Sequence, residues 1–179
     1  KKGYGLNEGT VFYNWIETIL NKFSIKNLED LKTHFNKVPP NLKVKRDELR
    51  DANVIGEVMA PASPMLIMVA SEISTGNKVE FPRMWDLYWQ DLKSVPPAAF
   101  VRASMSIPFF FETYKIKVSP SLQTLQTTWK NHLNWQGAIP FEVEMVDGGV
   151  PSNFPINVFY NAKYVIPRMQ TFGIRLGDE

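Results

Sequence analysis

Apolar and polar positions along this chain switch between two periods, and the switches divide it into elements. Val11, Phe12, Trp15, Ile16, Ile19, Leu20 and Phe23 recur at helical spacing, so residues 10–22 read as an amphipathic helix entered through Asn7-Glu8-Gly9. In a second helix, Asn27 is placed as the cap, Leu28, Leu31 and Phe35 form the apolar stripe, and Pro39-Pro40 is the stop. From Pro64 the pattern changes: residues 65–70 are a continuous apolar run, the mark of a strand buried on both faces of an α/β sheet. Ser74-Thr75-Gly76-Asn77 turns the chain into a return strand over 78–81.

Residues 83–92 place Trp85, Tyr88, Trp89 and Leu92 on one helical face. Pro96-Pro97 then opens a helix running through Ala98, Phe100, Val101 and Ala103. Residues 114–118 and 141–146 read as strands with a helix over 122–133 between them, and Asp147-Gly148-Gly149 makes a sharp turn. Strands alternating with helices favour a three-layer α/β/α architecture over a bundle or an all-β sandwich.

Composition narrows the functional classes more than it changes this layout. With 179 residues, 44% hydrophobic and 21% charged, the chain reads as one domain or a large piece of one. It has no cysteine, so disulfides and thiolate metal sites are excluded. A net charge of +2 is too small to imply nucleic acid or an anionic membrane as partner, and the mixed-sign run 43–51 reads as a solvated face. No apolar run approaches the ~18 residues of a membrane span, and no signal-peptide pattern follows Lys1-Lys2, so cytoplasmic or membrane-peripheral placement is expected.

The chain lacks a complete nucleophile system. No two of its ten glycines bracket a serine as G-x-S-x-G, and its two histidines, His34 and His132, fall in expected helices and share no motif with an acid or a nucleophile. A zinc site is equally unsupported, and no cofactor is expected. What remains is Asp147, at the C-terminal end of an expected strand, where open α/β sheets gather functional groups. A carboxylate there can take a proton from a hydroxyl brought to it. The plain alternative is an Asp-Gly turn that only joins two elements.

The surrounding blocks decide between these readings. Val101-Arg102-Ala103-Ser104-Met105-Ser106-Ile107-Pro108-Phe109-Phe110-Phe111, followed by Val146-Asp147-Gly148-Gly149-Val150-Pro151-Ser152-Asn153-Phe154-Pro155-Ile156, resembles the bacterial patatin-like phospholipases. The segments 70–76, 3–9 with Trp15, and 171–176 are similar to further blocks of that family, although Ser71-Glu72 replaces its usual Thr-Asp pair. The resemblance implies a patatin-like α/β fold and a lipid acyl hydrolase working through a Ser-Asp dyad. Asp147 is then the dyad aspartate, with Gly148 and Gly149 holding its turn. It also implies that the serine elbow and its oxyanion loop precede residue 3. Residues 1–179 are accordingly read as the C-terminal portion of a single patatin-like domain, incomplete at its N-terminus.

The expected partners are a lipid or acyl-ester substrate, the missing N-terminal segment or another chain that replaces it, and a transient membrane surface. Phe81, Trp85, Tyr88 and Trp89 are either a lip for that surface or sheet-covering core. Phe109-Phe110-Phe111 line an acyl pocket or simply pack. Removal of a serine-bearing strand is expected to leave residues 65–70 or 141–146 with an unpaired edge. The competing function is a non-catalytic lipid-binding or scaffold module that keeps the fold.

Overall fold

A computed structural model describes residues 5–37, 66–119, 124–150 and 158. The charge run 43–51, the stop at Pro39-Pro40, and the blocks 151–156 and 171–176 lie outside the described residues. The chain divides into two compact units: Lys1–Leu31 with Leu66–Asn153, and Lys32–Met65 with Phe154–Glu179. Of the second unit, the described residues are 32–37 and the buried Val158.

The first unit is α/β and holds two sheets. Strands β2 (Met68–Glu72), β3 (Asn77–Phe81), β5 (Tyr114–Lys117) and β6 (Glu142–Asp147) form a four-stranded sheet in the order β3-β2-β6-β5, antiparallel at each junction. Strands β1 (Gly5–Asn7) and β4 (Phe109–Phe111) make a separate parallel pair, Gly5 opposite Phe109 and Asn7 opposite Phe111. The sequence did not disclose these two strands, which at three residues are too short for a period to register. The strands expected over 78–81, 114–118 and 141–146 fall within one residue of their positions, whereas the apolar run 65–70 is corrected: β2 begins only at Met68, its buried part is Val69–Glu72, and Leu66 is 42% exposed outside the strand.

The expected unpaired edge on residues 65–70 or 141–146 is not found. Strand β2 lies between β3 and β6, and β6 between β2 and β5, so the outer strands are β3 and β5. Register and the two-residue period put Ala70, Val79, Phe81, Val143, Met145, Ile116 and Asp147 on one face of the sheet. The other face carries charged pairs at its rims, Lys115 with Glu144 at 3.3 Å and Lys78 with the buried Glu80 at 2.8 Å.

Helix α3 (Pro97–Ser104) has proline at its first position, as expected, and packs on β2 and β6. Its Phe100 stacks on Phe81 of the apolar face with ring centroids 4.7 Å apart. Helix α1 (Thr10–Lys22) has the bounds that periodicity set and packs on α3, yet none of its residues is buried. Val11 is 86% exposed and Trp15 56% exposed, so much of the apolar stripe of α1 faces outward. Asn27 caps α2 (Leu28–Phe35) as expected, its Oδ1 accepting the Asp30 N–H at 3.0 Å.

The helix expected over 83–92 is corrected to two short 3₁₀ turns, Trp85–Leu87 and Leu92–Ser94. A continuous helix would spend the Leu87 and Tyr88 carbonyls on its own following turn. Here the Trp129 indole of α4 (Leu125–Leu133) takes the Leu87 oxygen at 3.0 Å, and the Ser119 N–H takes that of Tyr88 at 3.1 Å. Asp91 then caps a new turn, accepting from the Lys93 and Ser94 N–H groups. Of the four aromatics read as lip or core, Phe81 and Tyr88 are wholly buried core and meet Trp89 within 6 Å, whereas Trp85 and Trp89 are half-buried. Burial raises the Tyr88 phenol well above its ordinary range, with Glu72 adding to the effect.

Candidate active site

Asp147 is the last residue of β6, paired with Ala70. Its backbone is held on three sides. The N–H donates to the Ser106 carbonyl at 3.0 Å, and the carbonyl accepts from Ser71 Oγ at 3.2 Å and from the Val150 N–H at 3.2 Å. Its side chain is partly exposed. Oδ1 accepts the Gly149 N–H at 2.6 Å, which closes the Asp-Gly-Gly turn, and among the described residues nothing donates to Oδ2. One carboxylate oxygen is therefore fixed, and the other has no donor among the described residues.

Gly148 is required by the neighbouring strand. A Cβ built on it would lie 2.2 Å from the Val69 carbonyl oxygen and 2.6 Å from its carbon, and both are backbone atoms of β2. Gly148→Ala must push two strands apart beside Asp147, at a cost of about 1–3 kcal/mol. The urea midpoint of the variant is expected to drop accordingly, and an unchanged midpoint would contradict this close approach.

The structure places all three residues singled out by sequence, Asp147, Gly148 and Gly149, in this one turn. It adds two that sequence reasoning passed over. Ser106, wholly buried, donates from Oγ to the Arg102 carbonyl at 2.7 Å and accepts from Arg102 Nη1 at 2.5 Å. Arg102, 3% exposed, also donates from Nη2 to the Glu8 carbonyl at 2.7 Å and the Glu112 carbonyl at 2.8 Å. Both residues sit in the quoted block 101–111; its spacing signalled their presence but not this bonding.

Glu72 is 1% exposed and caps the β2–β3 turn by accepting the Ser74 N–H at 2.5 Å, the Thr75 N–H at 3.0 Å and the Thr75 hydroxyl. Gly76 supplies the positive φ of 77° that this turn needs. His132 has an acid partner that its sequence neighbours did not reveal: its Nε2 lies 3.0 Å from Asp86 Oδ1. His34 is exposed.

An open apolar groove of about 570 Å³ lies over β1 and the first turns of α1, lined by Leu6, Val11, Phe12, Trp15 and Phe111 among others. Phe111 is partly buried there, whereas Phe109 and Phe110 are 80% and 62% exposed. No cluster of three His, Cys, Asp or Glu side chains suited to a metal ion occurs among the described residues. No described helix is long and apolar enough to cross a membrane.

A strand ending in a half-committed aspartate, a glycine turn pressed against the next strand and a helix packed behind both define an α/β protein with a candidate acid-base site. Residues 2–160 match the family model of the patatin-like phospholipases, and the chain belongs to that family. It is also similar to the uncharacterized protein YqhO of Bacillus subtilis (strain 168), 33% identical over 94 residues. That match covers 52% of this chain and 25% of YqhO, so the chain spans only part of the length of this relative. No solved structure gives a significant match.

Proposed function

We propose that the chain is part of a lipid acyl hydrolase of phospholipase A or esterase type, in which Asp147 is the base of a Ser-Asp dyad. The carrying observation is the asymmetry of the carboxylate: Oδ1 is anchored to the Gly149 amide, while among the described residues nothing donates to Oδ2, the oxygen that would accept the proton. Family membership supports the same chemistry, because phospholipases cleave acyl esters of lipids.

In this reading the nucleophilic serine comes from a segment N-terminal to Lys1, or from another chain that takes its place. Two nearby described serines are already engaged: Ser71 Oγ donates to the Asp147 backbone carbonyl, and Ser106 Oγ to that of Arg102. The incoming hydroxyl gives its proton to Asp147 as its oxygen attacks the acyl carbonyl, and the alcohol leaves with a proton returned to it. A water then enters by the same route, Asp147 removes its proton, and the fatty acid is released.

A fluorophosphonate probe tests the division of labour. The full-length protein is expected to be labelled covalently at a serine outside residues 1–179, and residues 1–179 alone are expected to stay unlabelled. Labelling mapped to a serine within 1–179 contradicts the proposal. An unreactive full-length protein favours the non-catalytic lipid-binding module.

A further inference from the structure

We propose that Arg102, acting through Ser106, is a positioning residue that sets the place of the Asp147 carboxylate; the inference rests on the reading of Asp147 as the base. A buried guanidinium is costly unless its donors are satisfied. Arg102 has no ion-pair partner among the described residues, and its burial lowers its pKa from the ordinary value, against the opposing effects of Tyr114 and Glu112. Its donors are instead aimed at three separate segments: the Glu8 carbonyl just past β1, the Glu112 carbonyl just past β4, and Ser106 Oγ just past α3. The Phe111 and Tyr114 rings complete the enclosure, 5.7 and 5.6 Å from the guanidinium carbon.

The path from there to the carboxylate is short and unbroken. Ser106 is fixed through its hydroxyl, which receives from the guanidinium and donates to the Arg102 carbonyl. The backbone carbonyl of the same residue receives the Asp147 N–H at 3.0 Å. Moving the guanidinium therefore moves Ser106, and moving Ser106 moves the residue that carries the base. A displacement of about 1 Å at a reacting group costs on the order of 10²-fold in rate. Lysine cannot substitute, since one ammonium on a flexible stem does not reproduce a planar fork serving three acceptors. Gly9 closes the remaining side: a Cβ there would lie 2.2 Å from Arg102 Nε.

The test uses the full-length protein and a short-chain p-nitrophenyl ester, with Arg102→Lys and Ser106→Ala made singly and in an Asp147→Asn background. Arg102→Lys is expected to lower kcat about 10²-fold and Ser106→Ala about tenfold, with KM changed by less than about threefold. Neither is expected to lower the residual rate of Asp147→Asn further, because groups acting through one another do not add. Ethylguanidinium is expected to restore turnover to Arg102→Ala, and ethylammonium to leave it unrestored. An unchanged kcat in Arg102→Lys, or losses that add in full to an inactive Asp147→Asn, overturns this inference and leaves the base reading standing. Undiminished turnover in Asp147→Asn overturns both. If the Arg102 variants do not fold, Ser106→Ala decides, since it leaves both guanidinium–carbonyl bonds in place.

Discussion

Asp147→Asn in the full-length protein is expected to lower ester hydrolysis by at least about 10²-fold, the usual scale of general-base catalysis. The substitution is nearly isosteric. The Oδ1 contact to the Gly149 N–H can persist through the amide oxygen, and the backbone bonds to Ser106 and Ser71 do not involve the side chain. What is lost is the proton acceptor at the second position, which as an amide NH₂ can only donate. Thermal stability should change little while turnover collapses, and that separation is the informative part of the measurement. A folded Asp147→Asn enzyme with wild-type turnover would remove the carboxylate from the mechanism.

The largest expected effect on stability is at Trp129. Its ring is wholly buried, meets Tyr88 edge-on at 6.0 Å, and donates its indole N–H to the Leu87 carbonyl. Trp129→Ala leaves a cavity and an orphaned buried carbonyl, a loss of about 3–5 kcal/mol. For a chain of this size that lowers the thermal midpoint by roughly 6–20 °C. Trp129→Phe keeps most of the volume and loses the hydrogen bond, so it should cost about 1–3 kcal/mol. Circular dichroism melts of the two variants check the order. Equal midpoints for both would mean that volume matters little and that the anchor is the hydrogen bond alone.

How much of this was legible in the sequence differs by residue for physical reasons. Helices α1, α2 and α3 were readable because their stripes and caps are local: Asn27 caps the helix beside it, and Pro97 starts the helix it belongs to. The 83–92 segment was misread because its outcome is decided at a distance, by an indole 42 residues along the chain that claims a carbonyl helix formation would need. Asp147 stood out through its glycines and the blocks around it. Arg102 did not, since an arginine in a helix pattern ordinarily reads as solvated. Its burial depends on carbonyls of Glu8 and Glu112 that no local pattern announces.

The three-way anchoring of Arg102 also bears on how the chain acquires its shape. One of its bonds joins residues 94 apart in sequence and another joins residues only 10 apart. Long-range closures come late because their chain entropy is lost before contacts repay it. The α3-to-β4 segment can thus gather around the guanidinium early, whereas the bond to Glu8 waits for strand β1 to arrive. Until it does, β6 can already be paired while the support behind Asp147 is unfinished. Hydrogen exchange during refolding should therefore protect the Val143 and Met145 amides of β6 before the Glu112 amide, which bonds to the Asn7 carbonyl of β1 across the chain.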